Sequence, residues 1–223
     1  MRGDQMISAI VFDFDGVLVD SEPLHLRAYQ EVLEPIGWSL PREKYYASYL
    51  GYDDAGVFRA VAEDRGSTLD DQRLRALIDE KCRVFDQILG GGDIMYPGAA
   101  ECLGRLGAEW PLGIASGAAR PEIEAALRGR RLDRHIKFIV AAGETPAGKP
   151  SPDPYQRAAT LHGVAPQSCV AIEDSRWGIE SAKAAGLWCI GITHTYPVSE
   201  LLDADTIVTS LDELTPQLIR NIA

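Results

Sequence analysis

The segment AIVFDFDGVLVDSEPLH, residues 9–25, decides how the rest of the chain is read. Ile10, Val11 and Phe12 form a short apolar run, the pattern of a strand buried on both faces. Asp13 and Asp15 follow, with only Phe14 between them. If the strand continued, period two would aim both carboxylates the same way. Two carboxylates crowded at the end of a buried strand repel each other unless a cation lies close.

Similar apolar runs recur along the chain. They are Ile7–Phe12, Leu112–Ala115, Phe138–Ala141, Val170–Ile172, Cys189–Ile192 and Ile207–Val208. Between them lie PGAAECLGRLGAE, RPEIEAALRG, DPYQRAATLHGV and SRWGIESAKAAGL, each with apolar residues at helical spacing. Strands alternating with helices predict an α/β fold: a Rossmann-like parallel sheet with helices on both faces.

Residues 22–90 break this alternation. They hold no convincing strand, and PLHLRAYQEVLEPIG, DDAGVFRAVAEDRG and LDDQRLRALIDEKCRVFDQILGGG read as amphipathic helices. The expected organisation is a discontinuous core, residues 1–20 and 91–223, with an inserted all-helical domain over 21–90. Hinges are expected near Val19–Glu22 and Gly90–Asp93.

The bulk numbers fit such an enzyme-sized domain. The chain has 223 residues, is 46% apolar and carries a net charge of −11. That charge disfavours nucleic acid and anionic membrane as partners, since both need clustered Lys and Arg. No segment approaches the length of a membrane span and MRGDQM is no signal peptide, so a cytoplasmic protein is expected. Cys82, Cys102, Cys169 and Cys189 form no CxxC pair and read as small buried hydrophobes in a reducing compartment. Nothing demands a dimer, and a monomer is expected.

Ligands of open parallel sheets bind beyond the carboxyl ends of the strands. Asp13 and Asp15 follow the first strand. Ser116 follows LGIA, Lys149 lies some residues after FIVA, and Glu173 and Asp174 follow CVAI. Each has a bland reading alone: loop aspartates, a turn serine, a solvated lysine, a helix cap. Their placement after successive strands brings them to one edge. Several carboxylates at one point suit Mg²⁺, a hard ion that takes oxygen ligands and often contacts phosphate. A carboxylate beside a bound phosphate can attack phosphorus, and a second can protonate the leaving oxygen. Ser116 and Lys149 would then bind and neutralise the phosphoryl group.

At these residues the chain resembles the haloacid dehalogenase superfamily. VFDFDGVLVDSE is similar to its first signature, and IASG, GKPSPDPY and AIEDSRWGIESAKAAG to its second, third and fourth. The helical insert resembles the type 1 cap of the branch holding phosphoglycolate phosphatases, sugar-phosphate phosphatases and β-phosphoglucomutases. The resemblance implies that Asp13 is the nucleophile and a Mg²⁺ ligand. Asp15 would be the general acid/base, with its main-chain carbonyl on the metal. Ser116, Gly117 and Lys149 would bind the phosphoryl group, Asp174 the metal, and Glu173 the metal or its surroundings. Gly16 would let the backbone pass close to the phosphate. The implied activity is a Mg²⁺-dependent phosphatase of a small phosphorylated metabolite, acting through an aspartyl phosphate with closure of the cap.

Asp15 argues against dehalogenation, because the dehalogenases of this superfamily lack the second aspartate. Phosphonate hydrolysis is disfavoured because that branch resembles DxAGT. A β-phosphoglucomutase-like phosphomutase is the alternative. Its cap carries a Lys-Gly pair and then an Arg, where this chain has Leu50, Gly51 and Asp54. An aspartate there would repel a second phosphate, which favours the phosphatase.

Lys81 falls on the apolar stripe of its helix, four residues from Leu77 and from Phe85. It reads either as a snorkelling stem with its ammonium in water or as a residue facing the substrate or Asp15. His25 reads as a surface residue of the cap or, by resemblance, as part of the substrate site. Arg120 and Arg176 read as helix N-terminal surface residues or as aids to an anionic substrate. Tyr45, Tyr46 and Tyr49 read as packing, as do Trp110 and Trp188; Trp177 reads so too but is set apart because it directly follows the metal signature.

Overall fold

The structure is a computed structural model that describes residues 6–50, 52–89 and 94–223, apart from the side chains of Asp86 and Leu89. Gly51 and the expected second hinge, Gly90–Asp93, lie outside the described residues. The chain divides into two compact units, one of Met1–Asp20 with Met95–Ala223 and one of Ser21–Ile94.

The first unit is built on six strands: β1 (Ala9–Phe12), β2 (Leu112–Ala115), β3 (Ile136–Val140), β4 (Cys169–Glu173), β5 (Trp188–Ile192) and β6 (Thr206–Val208). Their order is β3-β2-β1-β4-β5-β6, and every neighbouring pair is parallel. β1, β2 and β4 are buried along their whole length, which is why they read as unbroken apolar runs. Ile10 is opposite Leu112 on one side and Val170 on the other, so β1 sits at the centre. The sheet grows in one direction through β2 and β3, and in the other from β4 onward. The gap between the carboxyl ends of β1 and β4 is therefore the topological switch point, where open α/β sheets bind ligands.

The insert after β1 contributes α1 (Glu22–Leu33), α2 (Arg42–Ser48), α3 (Asp54–Glu63) and α4 (Asp71–Leu89). Asp53 caps α3 by accepting a hydrogen bond from the Gly56 amide at 2.7 Å. The unit has its own core, in which Leu26, Tyr29, Leu33, Val57, Phe58 and Leu77 are buried together. Tyr45 and Tyr49 are buried and Tyr45 packs edge-on against Tyr46, in line with a packing role.

The remaining helices cover the sheet: α5 (Ala99–Gly107), α6 (Arg120–Gly129), α7 (Asp153–His162), α8 (Arg176–Ala184) and the short α9 (Pro216–Asn221). α7 and α8 pack on the face that carries Ala9, Val11, Ala171 and Cys189. Ile10 and Phe12 point to the opposite face by the period of two. Trp110 donates from its indole to the Ile7 carbonyl at 3.0 Å, and Trp188 to the Gln167 carbonyl at 3.1 Å, so both are structural. Cys102, Cys169 and Cys189 are buried free thiols, as expected. Cys82 corrects that expectation: it is exposed on α4, where position 82 turns away from the Leu74 and Leu77 stripe. Among the described residues no helix is long and apolar enough to cross a membrane.

Candidate active site

The switch point is where the charged residues gather. The Asp13 amide donates to the Ile172 carbonyl at 2.9 Å, continuing the β1–β4 ladder past the end of β1. That register sets Asp13 beside Glu173, the last residue of β4, with Asp174 next in the chain. Oxygens of Asp13, Glu173 and Asp174 all lie within 4.8 Å of one another, and all three side chains are buried. The carboxylate of Asp15 is outside this cluster, in a turn where Asp15 bridges Val19.

Lys149 reaches the cluster from the loop ahead of α7. Its ammonium donates to Asp13 Oδ1 and to Glu173 Oε1, each at 2.6 Å. Glu173 Oε1 also accepts from the phenol of the fully buried Tyr155 at 2.7 Å. Glu173 Oε2 accepts from the amide and hydroxyl of Ser175 at 3.4 and 3.3 Å. Both oxygens of Glu173 are thus held by protein donors, which leaves Asp13 and Asp174 with more of their acceptor capacity free. Asp174 Oδ2 and Thr195 Oγ1 both lie against Gly16, so the two side chains are neighbours.

Two glycines make room for these carboxylates. Gly16 has φ +75°, and a Cβ there would stand 1.9 Å from Asp174 Oδ2 and 2.5 Å from Thr195 Oγ1. Sequence alone suggests a backbone that approaches phosphate. The structure shows Gly16 required first by its left-handed conformation and by the Asp174 carboxylate. Gly178, in the first turn of α8, lies against Glu173, and a Cβ there would overlap Glu173 Cδ at 1.9 Å.

Burial pushes the Asp13 carboxyl up to about 7; Lys149 opposes this, and Glu173 and Asp15 add to it. Asp174 is pushed well above the usual carboxylate range by burial, then by Glu173 and Asp13. Burial alone would lower the Lys149 pKa, yet Asp13 and Glu173 together hold it above its ordinary value. One ammonium faces three carboxylates, so the site is short of positive charge. Buried hard oxygen donors with that deficit fit a divalent cation.

Ser116 is buried just past β2. Its amide donates to the Val140 carbonyl at 2.9 Å and its hydroxyl oxygen accepts from the Ala118 amide at 3.0 Å, which leaves the hydroxyl proton to donate elsewhere. Gly117 is exposed, with nothing within 4 Å of where a Cβ would be.

Residues 7–186 match the haloacid dehalogenase-like hydrolases. This chain belongs to that family. It is 29% identical to a phosphoglycolate phosphatase of Shigella boydii over 95% of this chain and 92% of that one. It is 31% identical to a phosphorylated carbohydrates phosphatase of Thermotoga maritima, over 85% and 87% of the two chains. A crystal structure of CbbY from Rhodobacter sphaeroides in complex with phosphate superposes with a TM-score of 0.81, at 29% identity, covering 97% of this chain and 100% of that one.

The remaining candidate residues have other partners in this hydrolase. Lys81 is not a snorkelling side chain: it is 4% exposed, and its ammonium lies 2.8 Å from Asp54 Oδ1 and 2.9 Å from His25 Nδ1. His25 is no free surface residue either, since its ring stacks on Phe85 at 4.2 Å. Burial, then Lys81, lowers its pKa to about 3, so the imidazole is neutral and accepts from the ammonium. Arg120 is paired doubly with Glu144, at 2.6 and 2.9 Å, and donates to the Ile139 carbonyl at 2.7 Å. Its fork is thereby committed to tying α6 to β3. Arg176 lies over the Trp177 ring at 4.3 Å and 3.6 Å from Glu200. Sequence reasoning missed Tyr155, Thr195 and Gly178. Tyr155 stands two residues after Asp153 in a motif already noted, but only the fold shows that its hydroxyl meets Glu173.

Proposed function

We propose that this hydrolase is a Mg²⁺-dependent phosphatase of small phosphate monoesters, acting through an aspartyl phosphate on Asp13. The observation that carries the reading is the Lys149 ammonium bonded to Asp13 among three buried carboxylates at the switch point. The named phosphatases among its relatives act, by their names, on phosphoglycolate and phosphorylated carbohydrates, which supports a substrate of that class.

Asp13 and Asp174 would hold the cation with the main-chain carbonyl of Asp15, and Glu173 would stand beside them fixing Lys149. When bound, Mg²⁺ would draw the phosphoryl group to the cluster and offset the charge of its oxygens. A carboxylate oxygen of Asp13 attacks phosphorus as the ester P–O bond breaks, and Asp15 gives its proton to the leaving oxygen. Asp15 then takes a proton from water, which attacks the acyl phosphate and releases inorganic phosphate and free Asp13. Lys149 and the Ser116 hydroxyl donate to the phosphoryl oxygens as charge shifts onto them, where preorganised donors contribute most.

The phosphomutase alternative is not favoured. Where the resembled mutases carry an arginine for the second phosphate this chain has Asp54, and that aspartate pairs with the buried Lys81.

Asp13→Asn should abolish hydrolysis of p-nitrophenyl phosphate with Mg²⁺ present while leaving the fold intact. A rate near that of the unaltered protein would sink the assignment. Asp15→Asn should likewise lose turnover. A panel of phosphorylated hydroxy acids and sugars, ranked by kcat/KM, would identify the substrate. NMR of a hexose 1-phosphate reaction showing the 6-phosphate would restore the mutase.

A further inference from the structure

His194 and Thr195 follow β5 and lie beyond the segment that matches the family, residues 7–186. They nevertheless hold two parts of the candidate site. His194 Nδ1 is 3.1 Å from the Gly16 carbonyl. A carbonyl oxygen only accepts, so Nδ1 carries the proton and donates. The next residue, Thr195, places its Oγ1 beside Gly16 and next to the Asp174 carboxylate. One dipeptide therefore reaches both the backbone next to Asp15 and the surroundings of Asp174.

The imidazole has a second contact. Its ring stacks on Tyr96, with centroids 3.9 Å apart and an interplanar angle of 27°. Tyr96 donates its amide to the Leu18 carbonyl at 2.9 Å, and Val19 bridges Met95 in antiparallel fashion. Within the turn, Gly16 donates to the Val19 carbonyl at 2.8 Å, and Leu18 and Val19 both donate to Phe14. The chain leaves the first unit at Asp20 and re-enters it at Met95. The outgoing segment 14–19 and the returning segment 95–96 are thus joined to each other, and the His194 ring is bound to both. The loop bearing His194 is fixed in turn, since the Thr193 amide donates to the Val208 carbonyl at 3.1 Å.

We propose that His194 is a positioning residue for the hydrolytic reaction: its Nδ1–H fixes the Gly16 carbonyl, and its ring locks the two crossing segments, so that Asp15 is held in place relative to Asp174. Thr195 extends the same device by standing beside Asp174 at Gly16. His194 touches no reacting atom and acts through the Asp15–Gly16 backbone. A turn that carries an acid/base residue must be held closely, because small misplacements cost large factors in rate.

This inference rests on the proposed phosphatase activity, so its test carries a readout that needs none. His194→Phe keeps a ring for Tyr96 and removes the donor. His194→Asn keeps an amide donor near the position of Nδ1 and removes the ring. Hydrogen exchange of the Gly16–Val19 amides is measured on the metal-free proteins, and kcat and KM on a phosphate monoester with Mg²⁺. His194→Phe should speed exchange across Gly16–Val19 and lower kcat about tenfold with KM nearly unchanged, while His194→Asn should restore most of kcat. Unaltered exchange and kcat in His194→Phe would overturn the proposal. A loss in His194→Asn as large as or larger than that in His194→Phe would also overturn it, because restoring the donor would then restore nothing. If the unaltered protein turned over no phosphate ester, the phosphatase reading would fail, and exchange would still decide whether His194 holds the turn.

Discussion

The Lys149 ammonium stands 2.6 Å from Asp13 Oδ1, joining a loop ahead of α7 to the first residue past β1. Both side chains are nearly buried, at 14% and 10% exposed, so the pair is little screened by solvent. Lys149→Met would leave Asp13 and Glu173 facing each other without a counter-charge. Breaking a buried pair in this way costs about 3–5 kcal/mol, so urea denaturation of the metal-free variant should show a loss of that order. Turnover of a phosphate monoester should fall by a factor of about 10² or more, and Lys149→Arg should not restore it, since a planar fork cannot replace a point charge.

Gly178 and Gly104 make a matched pair of substitutions. Both lie in helices, yet a Cβ at Gly178 would overlap Glu173 and one at Gly104 would meet nothing within 4 Å. Gly104→Ala should stabilise by about 0.5–1 kcal/mol through helix propensity. Gly178→Ala should instead displace Glu173, lowering both the melting temperature and kcat. Equal behaviour of the two variants in a thermal melt would contradict the packing described.

Asp54 is the counter-ion of a lysine inside the helical unit. It also accepts from the Tyr29 phenol at 2.5 Å. Asp54→Ala should cost about 3 kcal/mol, because the Lys81 ammonium would remain buried without its partner. Adding Lys81→Met should recover part of that loss. A double-mutant cycle by chemical denaturation measures the coupling; strict additivity would show that the pair contributes nothing.

His162 on α7 is buried, and neither ring nitrogen meets a hydrogen-bond partner. Burial lowers its pKa from 6.5 to about 4. The unfolded chain therefore takes up the proton first as pH falls. The stability tied to this residue is fully present above pH 6.5 and is lost between 6.5 and about 4. His162→Phe should flatten that part of the stability-against-pH curve. An unchanged slope would show that His162 titrates normally.

The central strands were legible because burial on both faces leaves an unbroken apolar signature, and each of the six runs lies on or overlaps an observed strand. The gathering of Asp13, Lys149, Glu173 and Asp174 was legible because parallel strands deliver their ends to one edge. Lys81 and His25 were open because period and spacing place a residue on a helix face but do not say which charge meets it there. Asp54, read as a residue near a helix cap and as a group that would repel a second phosphate, is the counter-ion that makes a buried Lys81 tolerable. His194 and Tyr155 carry no spacing signal, since their partners are brought to them by chain crossings far away in sequence.

The central position of β1 has a consequence for how the chain is made. Ile10 is made before the helical insert, yet its partner Leu112 comes only after that insert and Val170 later still. At about 5–20 residues per second, the nascent strand waits on the order of ten seconds or more for β4. Closing such long loops also slows refolding of the intact chain, because their entropy is lost before the contacts form. The segment AIVF is thus made long before it is enclosed, and it stays without either neighbouring strand until β2 and β4 follow it.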